Sequence, residues 1–315
     1  MKNILFHSNQ LCIRGTEVAM FDYAHYNETL LNNKSYIVSR RGSDLGALKK
    51  FEDRFEVHLY DEFSEIEEII KKLQIDYTYL IKAGDIDGRV TLGSKNLIHA
   101  VFQHYNPHGD KYFYVSKWLS EKMTNNSENY VPHIVTLPEC KNFNLRKKLN
   151  ISEEATVIGR YGGLDEFDIE ASKRAVFDVC KKRKNIYFVF MNTREFCKHN
   201  QIIFINPTYN LQNKSDYINM CDGLIHARQF GESFGLAIAE FLFFNKPVIS
   251  CRQGIDTAHL DMLGGKGLWY SSYQECFDIL LNFDKQYHKT INYKELVSEF
   301  TPENVMKRFN NLFLS

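Results

Sequence analysis

The sequence predicts two α/β domains in series, each a Rossmann-like parallel sheet with helices on both faces. Three observations carry this expectation. A length of 315 residues suits two domains of roughly 150 residues each. Apolar runs of four to eight residues alternate with helical patterns, as strands buried on both faces do. The alternation stops at a polar stretch, residues 138–150, and then restarts. The expected domains are residues 1–145 and 146–301, followed by one more helix at 302–315.

In the first half, residues 2–7 read as a short apolar strand, followed by a loop and a helix over 16–31. Strands at 35–39 and 55–60 flank a helix at 45–51, and 64–73 is an acidic helix. Residues 77–81, 97–102 and 112–115 are further strands, the last running into a helix capped by Ser116. After the linker, residues 155–159 form a strand that ends in the glycine turn Arg160-Tyr161-Gly162-Gly163. A helix at 169–181, strands at 186–191 and 202–205, a helix at 215–221 and a strand at 223–227 follow. Then comes the block Gly231-Glu232-Ser233-Phe234-Gly235-Leu236-Ala237-Ile238-Ala239-Glu240, whose apolar helix runs to Phe244, and a strand at 247–251. Residues 302–313 read as one amphipathic helix.

Composition narrows the function. Lys and Arg number 39, as do Asp and Glu, so neither a nucleic-acid footprint nor a polybasic membrane patch is expected. No apolar run approaches the roughly 20 residues that span a bilayer. Seven cysteines without zinc spacing, and no apolar export segment at the start, fit reduced thiols in a cytoplasmic compartment. His99, His104 and His108 lie close in sequence, but the strand period sets His99 and Gln103 on one face and His104 on the other. Asp85 and Asp87 begin like a Ca²⁺ loop whose remaining ligands are absent. No metal site is expected.

The block at 231–240 holds two glutamates with seven residues between them. Glu240 falls inside an apolar helix, and a carboxylate buried there needs a partner. Eight residues of helix span about 12 Å, the reach from a sugar across a diphosphate to a ribose. If Ser233 opens the helix, the N–H groups of Ser233, Phe234, Gly235 and Leu236 converge on one anion, with the positive dipole end behind them. Glu232 would then accept sugar hydroxyls on one side of the phosphates and Glu240 ribose hydroxyls on the other. A nucleoside-diphosphate sugar satisfies all of these groups, and no further cofactor is required.

These residues resemble the nucleotide-sugar signature of retaining GT-B glycosyltransferases of the family 4 type. Residues 221–228 look like the strand and loop before that signature, and 245–249 like the strand after it. Ile158-Gly159-Arg160-Tyr161-Gly162-Gly163 is similar to the turn that opens the donor domain. Arg14-Gly15-Thr16-Glu17 resembles the glycine loop after the first strand, and 114–119 the late strand-to-helix step of the first domain. The resemblance implies two domains facing across a cleft, with the terminal helix packing back on the first. It implies Arg160, with Gly162 in the same turn, at the diphosphate; Glu232 at the donor sugar; Glu240 at the ribose; and Ile205-Asn206-Pro207 at the base. Arg228 would support Glu232 or reach a phosphate, and Gly15 would let the first domain's loop close over the donor. One position departs from the family: its usual diphosphate lysine is Glu166 here, leaving Arg228, Lys173 or Arg174 as replacements.

Gln103 or His104 could stand near the donor sugar, and the loop carrying Lys82 and Asp85 could meet the acceptor. The resulting expectation is an enzyme that moves a sugar, with retention, from a UDP- or GDP-type donor to a glycan, glycoprotein or glycolipid. A GT-B nucleotide-sugar epimerase and an inactive nucleotide-sugar-binding protein remain open. A nicotinamide oxidoreductase is disfavoured, because Gly-x-Gly-x-x-Gly is missing after the first strand.

Overall fold

A computed structural model describes residues 1–315 and divides them into two compact units. The first holds Met1–Ile134 and Glu299–Ser315, and the second holds Val135–Ser298.

In the first unit six parallel strands run in the order β3-β2-β1-β4-β5-β6. They are β1 (Asn3–Ser8), β2 (Lys34–Arg40), β3 (Glu56–Tyr60), β4 (Tyr77–Lys82), β5 (Lys95–Ala100) and β6 (Lys111–Tyr114). The connecting helices are α1 (Gly15–Thr29), α2 (Leu48–Glu52), α3 (Ile66–Leu73) and α4 (Lys117–Thr124). Ser116 caps α4, its hydroxyl accepting the Leu119 N–H at 3.1 Å. The order reverses between β1 and β4, which is where a doubly wound sheet opens a crevice at its carboxyl ends.

The linker stretch belongs to the second unit. Asp216 accepts the N–H groups of Lys141 and Asn142, and the buried Arg146 binds the Met220 carbonyl and Asp222. These bonds fasten the short helix α5 (Leu145–Lys148) to the sheet of the second unit. That sheet has the order β14-β12-β10-β7-β8-β9. Its strands are β7 (Thr156–Tyr161), β8 (Ile186–Met191), β9 (Ile202–Ile205), β10 (Gly223–His226), β12 (Val248–Cys251) and β14 (Leu268–Tyr270). A separate pair joins β11 (Gly231–Glu232) to β13 (Asp256–Thr257). The helices are α6 (Glu170–Lys182), α7 (Leu211–Met220), α8 (Leu236–Phe243), α9 (Ala258–Leu263), α10 (Tyr273–Leu281) and α11 (Lys285–Lys289). Here the order reverses between β7 and β10.

The last helix, α12 (Pro302–Phe313), is part of the first unit's core. Phe309 stacks on Tyr23 with ring centroids 5.5 Å apart, and Phe313 packs edge-on against His99 at 5.4 Å and Phe113 at 4.9 Å. Thr301 caps the helix, and Pro302 takes the first position, where its missing N–H costs nothing.

Candidate donor site of the second unit

The reversal between β7 and β10 sets Arg160 and His226 at the carboxyl ends of adjacent strands. Gly159 makes this possible. A Cβ there would meet Cys221 Sγ at 2.5 Å and the Tyr217 hydroxyl at 2.9 Å. Tyr217 Oη accepts the Arg160 N–H at 2.8 Å and lies 2.7 Å from the Val189 carbonyl oxygen, so α7 is locked onto the strand ends.

Arg160 is buried, and its guanidinium donates to the Asn192 carbonyl at 3.1 Å, Thr193 Oγ1 at 2.6 Å and the Gly163 carbonyl at 3.0 Å. Burial lowers its pKa to about 10, against the opposing charges of Glu166, Tyr217 and Glu232. The group therefore stays cationic at neutral pH, and Gly162 lies directly beside it, a Cβ there falling 3.0 Å from Nη2.

Glu232 has a donor on each oxygen. His226 Nε2 meets Oε1 at 3.1 Å, and Arg228 Nη1 meets Oε2 at 3.2 Å. Burial alone would raise this carboxyl's pKa, but His226, Arg228 and His259 outweigh it and hold the pKa below the usual carboxylate range. Arg228 also reaches Glu166 Oε1 at 3.1 Å, and Glu166 Oε2 accepts the Gly163 N–H at 2.9 Å. The residue at the departing position thus pairs with Arg228. Lys173 and Arg174, by contrast, sit on α6 against Glu170 and Asp178.

Ser233 does not open the helix. Gly231 and Glu232 form β11, and α8 starts only at Leu236 behind Gly235, whose φ of 93° leaves it in the left-handed region. The first intrahelical bond runs from the Ala239 N–H to the Gly235 carbonyl. The first-turn donors are therefore those of Leu236, Ala237 and Ile238, while Ser233 and Phe234 form the lead-in. A buried Glu240 was expected to need a partner, and Lys214 of α7 supplies it at 2.8 Å. Lys214 also lies 5.3 Å above the Tyr161 ring. At the end of β9 the Ile205 carbonyl already accepts the Asn192 N–H at 3.1 Å, and Asn206 and Pro207 are exposed.

The remaining sequence candidates lie in the first unit. Lys82, buried at the end of β4, is held by Asp87, and Asp87 also accepts the Arg89 N–H at 3.0 Å. Lys82 is thus committed to an internal ion pair, with Asp85 partly buried in the same loop. The His104 carbonyl accepts the Tyr114 hydroxyl at 2.9 Å, and Gln103 and His104 are partly buried. Gly15 opens α1 with nothing within 4 Å of a Cβ, so packing there makes no demand for glycine. No group of three or more His, Cys, Asp or Glu side chains is arranged to hold a metal ion.

No protein-family model matches this sequence, and no curated protein matches it either. Solved structures do match. HepE from Anabaena, in complex with UDP-glucose, covers 100% of both chains at 12% identity with a TM-score of 0.77. Sucrose-phosphate synthase from Thermosynechococcus elongatus covers 100% of this chain and 98% of its own at 11% identity, with a TM-score of 0.67. A glycosyltransferase from Rickettsia africae ESF-5 covers 98% and 97% at 15% identity, with a TM-score of 0.65.

The fold is GT-B. Within this GT-B chain, sequence reasoning missed His226, Ser250, His259 and Lys214. His226 and Ser250 are placed opposite each other by the parallel register of β10 and β12, a relationship with no linear signal. Lys214 could have been sought as the cation owed to Glu240 one helix away.

Proposed function

We propose that the second unit binds a nucleoside-diphosphate sugar and that the chain transfers its sugar, with retention, to a hydroxyl of a glycan, glycoprotein or glycolipid. One observation carries the reading: a doubly held carboxylate, Glu232, stands just before a glycine-led helix end at the β7–β10 reversal, with the buried cation Arg160 at the same strand ends. The Anabaena HepE structure, of the same fold, holds UDP-glucose.

In this reading the sugar hydroxyls donate to Glu232, and the diphosphate meets the N–H groups of Leu236, Ala237 and Ile238 with Arg160 opposite. Glu240 accepts a ribose hydroxyl beside Lys214, and residues 205–207 offer backbone groups to the base. The bond from the anomeric carbon to the diphosphate oxygen breaks, and the acceptor oxygen forms the new bond on the same face. The acceptor proton passes to the departing phosphate. Gly15, Lys82, Asp85, Gln103 and His104 belong to the acceptor-side unit. No metal is needed where fixed donors and arginine carry the charge.

A second reading, a nucleotide-sugar binder without turnover, is favoured by Arg228 being engaged with both Glu166 and Glu232. One experiment tests both. Thermal shifts are measured against UDP-, GDP- and dTDP-sugars, and nucleoside diphosphate release is then followed with glycan acceptors. A shift with release supports the transferase, a shift without release supports the binder, and no shift with any donor overturns both.

A further inference from the structure

We propose that His226, with Ser250 behind it, is a positioning residue that fixes the Glu232 carboxylate for the donor sugar. The inference rests on the donor-site reading above.

His226 ends β10, and its ring spans two neighbours. Nε2 lies 3.1 Å from Glu232 Oε1, and Nδ1 lies 2.9 Å from Ser250 Oγ on the adjacent strand β12. A carboxylate only accepts, so Nε2 must carry a proton to bond Glu232. In the neutral ring Nδ1 is then a bare acceptor, and the Ser250 hydroxyl donates to it. Ser250 is fully buried, and its only other acceptor, the Cys251 carbonyl, is 3.4 Å away, so the hydroxyl favours the ring. The serine thereby selects the tautomer that Glu232 needs. The surroundings hold the residue as well: its backbone carbonyl accepts the Tyr270 hydroxyl at 2.9 Å, and the buried His259 ring packs against its own with centroids 5.0 Å apart.

The consequence falls on the carboxylate. His226 occupies one lone pair of Oε1, and Arg228 occupies one lone pair of Oε2. The carboxylate plane is then set by a strand on one side and a loop on the other. Each oxygen keeps a second lone pair with which to accept a sugar hydroxyl. Orientation settled before the ligand arrives is not charged against binding. This contribution concerns the sugar and leaves the nucleotide diphosphate untouched, which makes it measurable.

The experiment compares dissociation constants for a nucleotide sugar and its bare diphosphate. The pairs are UDP-glucose with UDP, GDP-mannose with GDP and dTDP-glucose with dTDP. Three variants are made: His226→Leu, His226→Gln, whose amide N–H stands in for Nε2, and Ser250→Ala. His226→Leu should weaken nucleotide-sugar binding about tenfold to a hundredfold, the worth of one bond to a charged group, and leave the diphosphate within about twofold. His226→Gln should recover most of that loss. Ser250→Ala should lie between, and it decides the matter if His226→Leu fails to fold. Equal weakening of sugar and diphosphate, or a glutamine no better than leucine, would show a merely structural histidine and overturn the proposal. Binding of no pair by the unaltered protein overturns the donor-site reading itself and this inference with it.

Discussion

Arg228 donates to Glu166 at 3.1 Å and to Glu232 at 3.2 Å, so one guanidinium joins the two carboxylates of the candidate site. Replacing Glu166 with the lysine that the resemblance leads one to expect would not restore anything. It would remove the acceptor of the Gly163 N–H and set a third cation beside Arg228 and Arg160. Glu166→Lys should therefore lower sugar transfer by about tenfold or more, the worth of the charged bonds it removes. Steady-state kinetics with the donor identified by thermal shift would check this, and a rise in activity would contradict it.

Lys214 and Glu240 form a buried pair, in which losing one partner costs more than losing both. Lys214→Ala should destabilise the second unit by about 3–5 kcal/mol. The double change Lys214→Met with Glu240→Leu should recover much of that stability in urea unfolding. Nucleotide binding should stay lost in the double variant, since the proposed ribose acceptor is gone. Full binding by a stable double variant would remove Glu240 from the site.

Gly231 has a φ of 78°, and a Cβ there would lie 1.9 Å from the Asp256 carbonyl oxygen. The Gly231→Ala chain must therefore part β11 from β13 and move Glu232. A loss of at least about 1–2 kcal/mol in stability is expected, with weakened donor binding. Chemical denaturation and the thermal-shift panel read the two effects separately.

Three buried histidines make the first unit acid-sensitive. Burial lowers His7 to about 3 and His99 to about 4, while burial and then the charge of His99 lower His133 to about 3. Each starts from 6.5, so below that value the unfolded chain takes up protons that the folded unit refuses. Stability is full above pH 6.5 and should fall toward pH 4, by on the order of 1 kcal/mol per histidine per pH unit. Trp118 fluorescence in a Trp269→Phe variant would report the first unit alone. An unfolding midpoint unchanged between pH 7 and pH 5 would contradict the assignment.

Most strands were legible because a doubly covered parallel sheet leaves continuous apolar runs. Residues 186–191, 202–205 and 302–313 appear in the structure at their expected bounds. The start of α8 was misplaced because an apolar run cannot reveal that Gly235 turns left-handed after a two-residue strand. The spacing of the two glutamates and the support of Glu232 by Arg228 were legible, whereas their other partners were not. His226, Ser250 and Lys214 reach Glu232 and Glu240 through strand register and helix packing, which place residues far apart in sequence side by side. Arg146 shows the same limit. It reads as part of a polar linker, yet its bonds to Met220 and Asp222 make it an anchor of the second unit.

Phe309 and Phe313 join an aromatic cluster that includes Tyr23, Tyr79 and His99, which are translated more than two hundred residues earlier. A ribosome delivers this chain vectorially, so the early sheet must wait through synthesis of the whole second unit for its last two rings. Until those residues emerge, Tyr23, Tyr79 and His99 lack the two rings that cover them in the folded unit.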